Sequence, residues 1–205
     1  EGVQAHERFY EEYPHNKPYV QIESTEFPRD WMPNDSLSLI ENSRINAWDF
    51  FLLGGAGFIQ LNTLYTVTNP TAKGTVTGPI LDQFKILKDF MYGLDISKMY
   101  SYTDCSGPDR AFLRAIADPG NRYAFYLHHS KKSGINQGIK HYAGIKGTYT
   151  DSISVNNVPS GTWKAEWINP GNGMVIKKEI LVHNGDKLSF RVPDYTLDVA
   201  LRLIR

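Results

Sequence analysis

The chain has 205 residues, with 22 basic and 22 acidic side chains and no net charge, so its overall charge gives no support for a general nucleic-acid or anionic-membrane surface. The single cysteine, Cys105, excludes an intrachain disulfide and a cysteine-based zinc cluster. A hydrophobic share of 41% is enough to bury real cores, while no apolar run approaches the length that spans a bilayer.

In chain order, residues 2–13 predict a helix closed by Pro14. Residues 17–23 (KPYVQIE) read as a short buried strand, and residues 24–35 as a loop of turn formers. Residues 36–53 carry Leu37, Ile40, Ile45, Trp48, Phe51 and Leu52 at helical spacing, with Gly54-Gly55 as a left-handed stop. A second strand follows over 56–61 and a polar loop over 62–78. Pro79 then opens a helix whose Ile80, Phe84, Leu87 and Met91 share one face, ending at Gly93. Alternating helices and strands of this kind predict a parallel α/β unit over residues 1–96.

Beyond a linker at 97–110 the pattern changes. Strands are predicted at 112–117, 123–128, 147–154, 162–168, 174–182, 187–192 and 199–204. Between them stand turn formers such as Asp118-Pro119-Gly120-Asn121, Pro159-Ser160-Gly161, Asn169-Pro170-Gly171-Asn172-Gly173 and Asn184-Gly185. Short strands at this density predict an antiparallel β-sandwich over residues 111–205.

Two strands cannot close a parallel sheet, so the α/β part reads as a piece of something larger. The run Lys17-Pro18-Tyr19-Val20-Gln21-Ile22-Glu23 and the junction Leu52-Leu53-Gly54-Gly55-Ala56-Gly57-Phe58 resemble the seventh and eighth βα units of apiosidase-like (β/α)₈ glycoside hydrolases. The stretch from Trp163 to Gly173, with Phe190-Arg191-Val192-Pro193 and Asp198-Val199-Ala200-Leu201, resembles the collagen-binding-type sandwich that follows such barrels. The resemblance implies an α/β plus all-β chain: C-terminal units of a TIM barrel followed by a β-sandwich. It also implies hydrolysis of a polysaccharide or oligosaccharide outside the cytoplasm (secreted, periplasmic or cell-surface), with the remaining barrel units in a preceding segment or a second chain. The alternative is a glycan-binding or structural protein built on the same scaffold.

Glycoside hydrolysis needs two carboxylates, one protonated and one ionised. Glu23 ends its strand, where barrel chemistry is placed, and the resemblance gives it the nucleophile-like role; the alternative is a carboxylate that hydrogen-bonds a loop or pairs with Arg29 or Arg44. Glu26 and Asp30, in the loop beyond, are candidates to assist it or to bind hydroxyls. Trp31 and Tyr65 are candidate stacking platforms for a sugar ring, and the amides of Gln60 and Asn62 suit vicinal hydroxyls. Trp48, Trp163 and Trp167 are expected to be core residues. His128 and His129, being adjacent on a strand, face opposite ways and cannot readily share a metal. No metal or organic cofactor is expected, and the implied partner is carbohydrate.

Overall fold

A computed structural model describes residues 18, 20–25, 39–61, 66–75, 77–136 and 139–205; the helix expected at 2–13 lies outside them. Among the described residues the chain is mainly β-sheet, with two α-helices. Its elements run β1 (Val20–Thr25), α1 (Leu39–Leu52), β2 (Gly57–Leu61), α2 (Thr77–Tyr92), β3 (Tyr100–Ser101), β4 (Cys105–Ser106), β5 (Phe112–Asp118), β6 (Arg122–His128), β7 (Ser130–Asn136), β8 (Ile139–Gly144), β9 (Ser152–Val158), β10 (Gly161–Ile168), β11 (Val175–His183), β12 (Asp186–Arg191) and β13 (Asp198–Ile204).

A six-stranded antiparallel sheet, ordered β11-β10-β13-β6-β5-β3, forms the centre. A three-stranded antiparallel sheet, β12-β9-β4, shares a core with one of its faces. Strand alternation divides the side chains of the central sheet between its two sides. Ala115, Phe125, Leu127, Trp163, Trp167, Leu201 and Leu203 meet Ile153, Val155, Leu188 and Phe190 of the smaller sheet. The intervening residues Ile116, Ala124, Tyr126, Ile168 and Ala200 face the helices instead, against Ala47, Trp48 and Leu52 of α1 and Leu87, Phe90 and Met91 of α2. Trp48 anchors that second core: its ring stacks on Tyr126 at 5.2 Å between centroids and meets Phe90 at 4.8 Å.

This layering overturns the expected architecture, the closing units of a (β/α)₈ barrel followed by a β-sandwich. Among the described residues the parallel pairing is confined to β1 and β2, and the helices lie on the antiparallel central sheet rather than ringing a barrel. Helical period establishes that α1 has an apolar face; it does not say which sheet that face covers. Here the central sheet is apolar on both sides, and its second side takes the helices.

Local signals explain the element ends. Helix α1 closes in a Schellman motif, Gly54 at φ +97° donating to Phe51 O and Gly55 to Phe50 O, both at 3.0 Å. The turns preceding β6, β10, β11 and β12 place Gly120, Gly161, Gly173 and Gly185 at positive φ, as their sequences require. One strand is displaced: residues 147–154 were expected, and the strand is Ser152–Val158. Tyr149 instead forms an isolated bridge to Tyr195 and stacks on His129 at 3.5 Å. The hairpin of β7 and β8, unread in the sequence, stands as a separate two-stranded sheet.

Candidate functional site

A cleft of about 600 Å³ opens where four segments converge. They are the start of α1 (Glu41, Arg44), Lys146 just after β8, the turn before β11 (Asn169, Gly171, Asn172) and residues 194–198 leading into β13. Arg44 holds the junction together. It donates to both oxygens of Asp198, from Nε at 2.8 Å and Nη2 at 3.2 Å, and from Nη1 to Gln83 Oε1 at 3.1 Å. Gln83 in turn donates to Gly171 O at 3.1 Å, and the Tyr126 hydroxyl donates to Asp198 Oδ2 at 2.9 Å. Both helices, the turn before β11 and two strands of the central sheet are thereby tied to one carboxylate.

Two of the cleft's three carboxylates are held by cations, and the third, Asp194, accepts from Thr150 Oγ1 at 2.7 Å. Asp198 already accepts three hydrogen bonds, and Glu41 pairs with Lys146 at 2.7 Å. Burial disfavours the Arg44 cation, but Asp198 outweighs it and the guanidinium pKa is raised. Such a lining suits neutral, hydroxyl-rich groups better than proton transfer.

Tyr195 connects the cleft to a second buried cluster. Its hydroxyl donates to Asp151 Oδ2 at 2.6 Å, alongside His129 Nε2 at 2.6 Å, while Arg110 Nη2 donates to Asp151 Oδ1 at 2.8 Å. Burial would raise the Asp151 pKa, yet these donors win and hold it below the ordinary carboxylate value. Burial and the neighbouring Asp151 raise that of Tyr195.

On the opposite sheet face, Ser130 Oγ lies 2.7 Å from His128 Nδ1, and His128 Nε2 lies 3.0 Å from Asp49 Oδ1, with Arg114 Nη2 on Asp49 Oδ2 at 3.2 Å. The order Ser–His–Asp invites comparison with a nucleophilic triad. All three are essentially sealed from solvent, at 3%, 0% and 0% exposure, so no substrate carbonyl can reach the hydroxyl. The chain fastens α1 to the central sheet. His128 and His129 point to different carboxylates, as strand alternation requires, and no group of side chains able to hold a metal occurs among the described residues. Burial pushes the Cys105 thiol up to about 11, leaving it protonated at neutral pH and a poor nucleophile.

Of the residues singled out from the sequence, Glu23 lies in β1 and Gln60 in β2. The register pairs Gln21 with Phe58 and Ser24 with Gln60, so two residues of β1, Ile22 and Glu23, stand against one of β2. Glu23 is therefore part of a bulge, one position from the residue opposite Gln60. Glu26, Asp30, Trp31, Asn62 and Tyr65 lie outside the described residues. Arg44, an expected structural partner for Glu23, is committed to Asp198 and Gln83. Trp163 and Trp167 are core residues, donating to Pro159 O at 3.1 Å and Glu179 Oε1 at 3.2 Å. The cleft was missed because Arg44 and Asp198 are separated by 154 positions, and only the fold brings them together. No helix of the described residues is long and apolar enough to cross a membrane.

No family model matches the chain, and no curated protein matches it in sequence. Solved structures do. A glycoside hydrolase superposes with a TM-score of 0.57 at 15% identity, covering 97% of this chain and 44% of its own. A glycoside hydrolase family 5 protein from Bacteroides vulgatus gives 0.60 at 16% identity, covering 96% and 44%. Neither description mentions an apiosidase or a collagen-binding domain. The chain thus spans less than half the length of these structures and has a glycoside hydrolase-like fold.

Proposed function

We propose that the chain forms part of a carbohydrate-active enzyme that hydrolyses glycosidic bonds in a polysaccharide or oligosaccharide, with Glu23 as one of its two carboxylates. The observation that supports this reading is the bulge at Ile22–Glu23, set in a chain whose fold is like that of glycoside hydrolases. An extra residue in a strand re-aims side chains, and such bulges concentrate beside active sites. Glu23 would act as the nucleophile-like or base member, and Glu26 or Asp30 would assist it. Gln60 and Asn62 would bind hydroxyls, and Trp31 and Tyr65 would stack on sugar rings. A polymeric substrate would be met outside the cytoplasm. Glu23→Gln preserves shape and removes the charge. Turnover of plant and bacterial polysaccharides by the intact protein should vanish in this variant with its circular dichroism unchanged, whereas undiminished turnover would end the assignment.

A second reading, a glycan-binding protein without turnover, draws on the cleft, where two of the three carboxylates, Asp198 and Glu41, are held by Arg44 and Lys146. Binding of oligosaccharides with no hydrolysis by either form would favour it.

A further inference from the structure

The turn before β11 lines the cleft with two side-chain amides whose orientation the backbone fixes. Asn169 Oδ1 accepts from Gly171 N at 2.8 Å, and Asn172 Oδ1 accepts from Met174 N at 2.9 Å. A backbone N–H only donates, so each side chain gives its oxygen to the turn and keeps its NH2 group for something else. Neither NH2 has a partner among the described residues. The turn itself is held from both sides, by Gln83 Nε2 on Gly171 O at 3.1 Å and by Gly173 N on Asn169 O at 2.8 Å.

The segment leading into β13 supplies the complement. Asp194 Oδ1 accepts from Thr150 Oγ1 at 2.7 Å, and among the described residues its Oδ2 has no partner and its charge no cation. The cleft's own cations, Arg44 and Lys146, are engaged by Asp198 and Glu41, so one negative charge is left over. This segment is also fixed without a ligand: Tyr149 N donates to Tyr195 O at 2.9 Å, and Gly147 N to Thr196 O at 3.1 Å. Ile176 and Leu197 add apolar surface to a volume of about 600 Å³, within the usual range of small-molecule sites. Aimed donors, a charged acceptor and apolar surface are therefore in place before anything binds, which lowers the ordering cost of binding.

We infer that the cleft is a binding subsite for a neutral sugar unit, Asn169 and Asn172 donating to its oxygens and Asp194 accepting from one of its hydroxyls. A hydroxyl both donates and accepts, which is what this mixed lining requires. A uronic acid would bring a second anion towards Asp194 while both cations are occupied, so acidic sugars are disfavoured by charge. This inference rests on the carbohydrate reading above and names the class of sugar that the cleft takes.

The test is an NMR titration of the isotopically labelled full chain, following the side-chain NH2 signals of Asn169 and Asn172, which report on the cleft alone. Asn169→Asp and Asn172→Asp identify those signals by their loss. The probes are cello-, manno- and xylo-oligosaccharides against oligogalacturonate. Saturable shifts of both signals with at least one neutral oligosaccharide, and none with oligogalacturonate, are expected. Asp194→Asn keeps the oxygen that Thr150 bonds but turns the free acceptor into a donor. It should weaken binding about tenfold, the lower end for loss of a hydrogen bond to a charged group. Asn172→Asp keeps the bond from Met174 N and removes only the donor, so it should weaken binding too, while thermal melting reports an intact fold in each variant. Unmoved cleft signals with every sugar, equal shifts with oligogalacturonate, or undiminished affinity in Asp194→Asn would overturn the subsite. Hydrolysis by a protein whose cleft signals never move removes only the subsite; cleft binding by a protein that hydrolyses nothing removes only the enzyme reading.

Discussion

The two faces of the central sheet are held by different means. Toward the smaller sheet the contact is largely apolar, with Trp163, Trp167, Phe125, Leu201 and Leu203 buried and one polar cluster, Asp151 with His129, Tyr195 and Arg110, at its border. Toward the helices an apolar patch around Trp48 is bordered by two polar fasteners, Asp49 with His128 and Arg44 with Asp198. Apolar burial is roughly proportional to area and is non-directional, so it provides adhesion but little positional information. A helix on a flat apolar surface can slide and rotate. A two-pronged ion pair fixes both, and the cleft exists only because α1 lands at one place.

Three experiments would break or sharpen this contrast. Trp163→Ala opens a void in the apolar face and should cost about 4 kcal/mol of unfolding free energy, lowering the urea midpoint of the whole chain in a single transition. Asp198→Asn leaves the Arg44 cation in the junction without its counter-charge and should cost about 3 kcal/mol. The helices should loosen first, seen as early loss of helical circular dichroism, and Arg44→Met with Asp198→Leu should recover most of the stability. Were the single substitution harmless, the pair would have no part in positioning α1. The smallest effect is that of pH. Asp151 and Glu166 are both held below their ordinary carboxylate values. Burial works against ionisation at each site, but Tyr195, Arg110 and His129 outweigh it at the first, as Lys178 and Arg202 do at the second. A carboxylate with a lowered folded pKa binds fewer protons folded than unfolded, so its stabilisation is complete above the unfolded value and is lost as pH falls. The urea midpoint should therefore decline from about pH 5 downward, less steeply in Asp151→Asn.

Much of the secondary structure was legible, because it is encoded locally. Gly120, Gly161, Gly173 and Gly185 marked turns that only a tolerant backbone makes easily, and the strands flanking them, β9 apart, begin and end within a residue or two of expectation. The hairpin was not legible, since Lys, Ser, Gly and Asn are weak strand formers. Nor was the displacement of β9, where Tyr149 satisfies its backbone with Tyr195 in a lone bridge and Asn157 takes a positive φ of 55°. Architecture was misread for a related reason: periodicity identifies a helix's apolar face, whereas its covering surface depends on strands a hundred residues away. Of the candidate site, Glu23 was marked by its place at a strand end, but its bulge appears only in the register with β2. The cleft residues bear no local mark, their pattern being written in contacts between distant segments.

Strand β11 ends the central sheet among the described residues, with Ile180 70% and Val182 82% exposed. An unpaired strand carrying greasy side chains is a template for another chain, and natural proteins place charges there as a deterrent. Lys177 and Lys178 occupy the middle of this strand, each paired with an acid, Glu179 and Glu166 respectively. Charges in such a place oppose pairing of the edge with another chain. The two lysines, in exposed pairs that contribute little to folded free energy, thus bear on association rather than on folding.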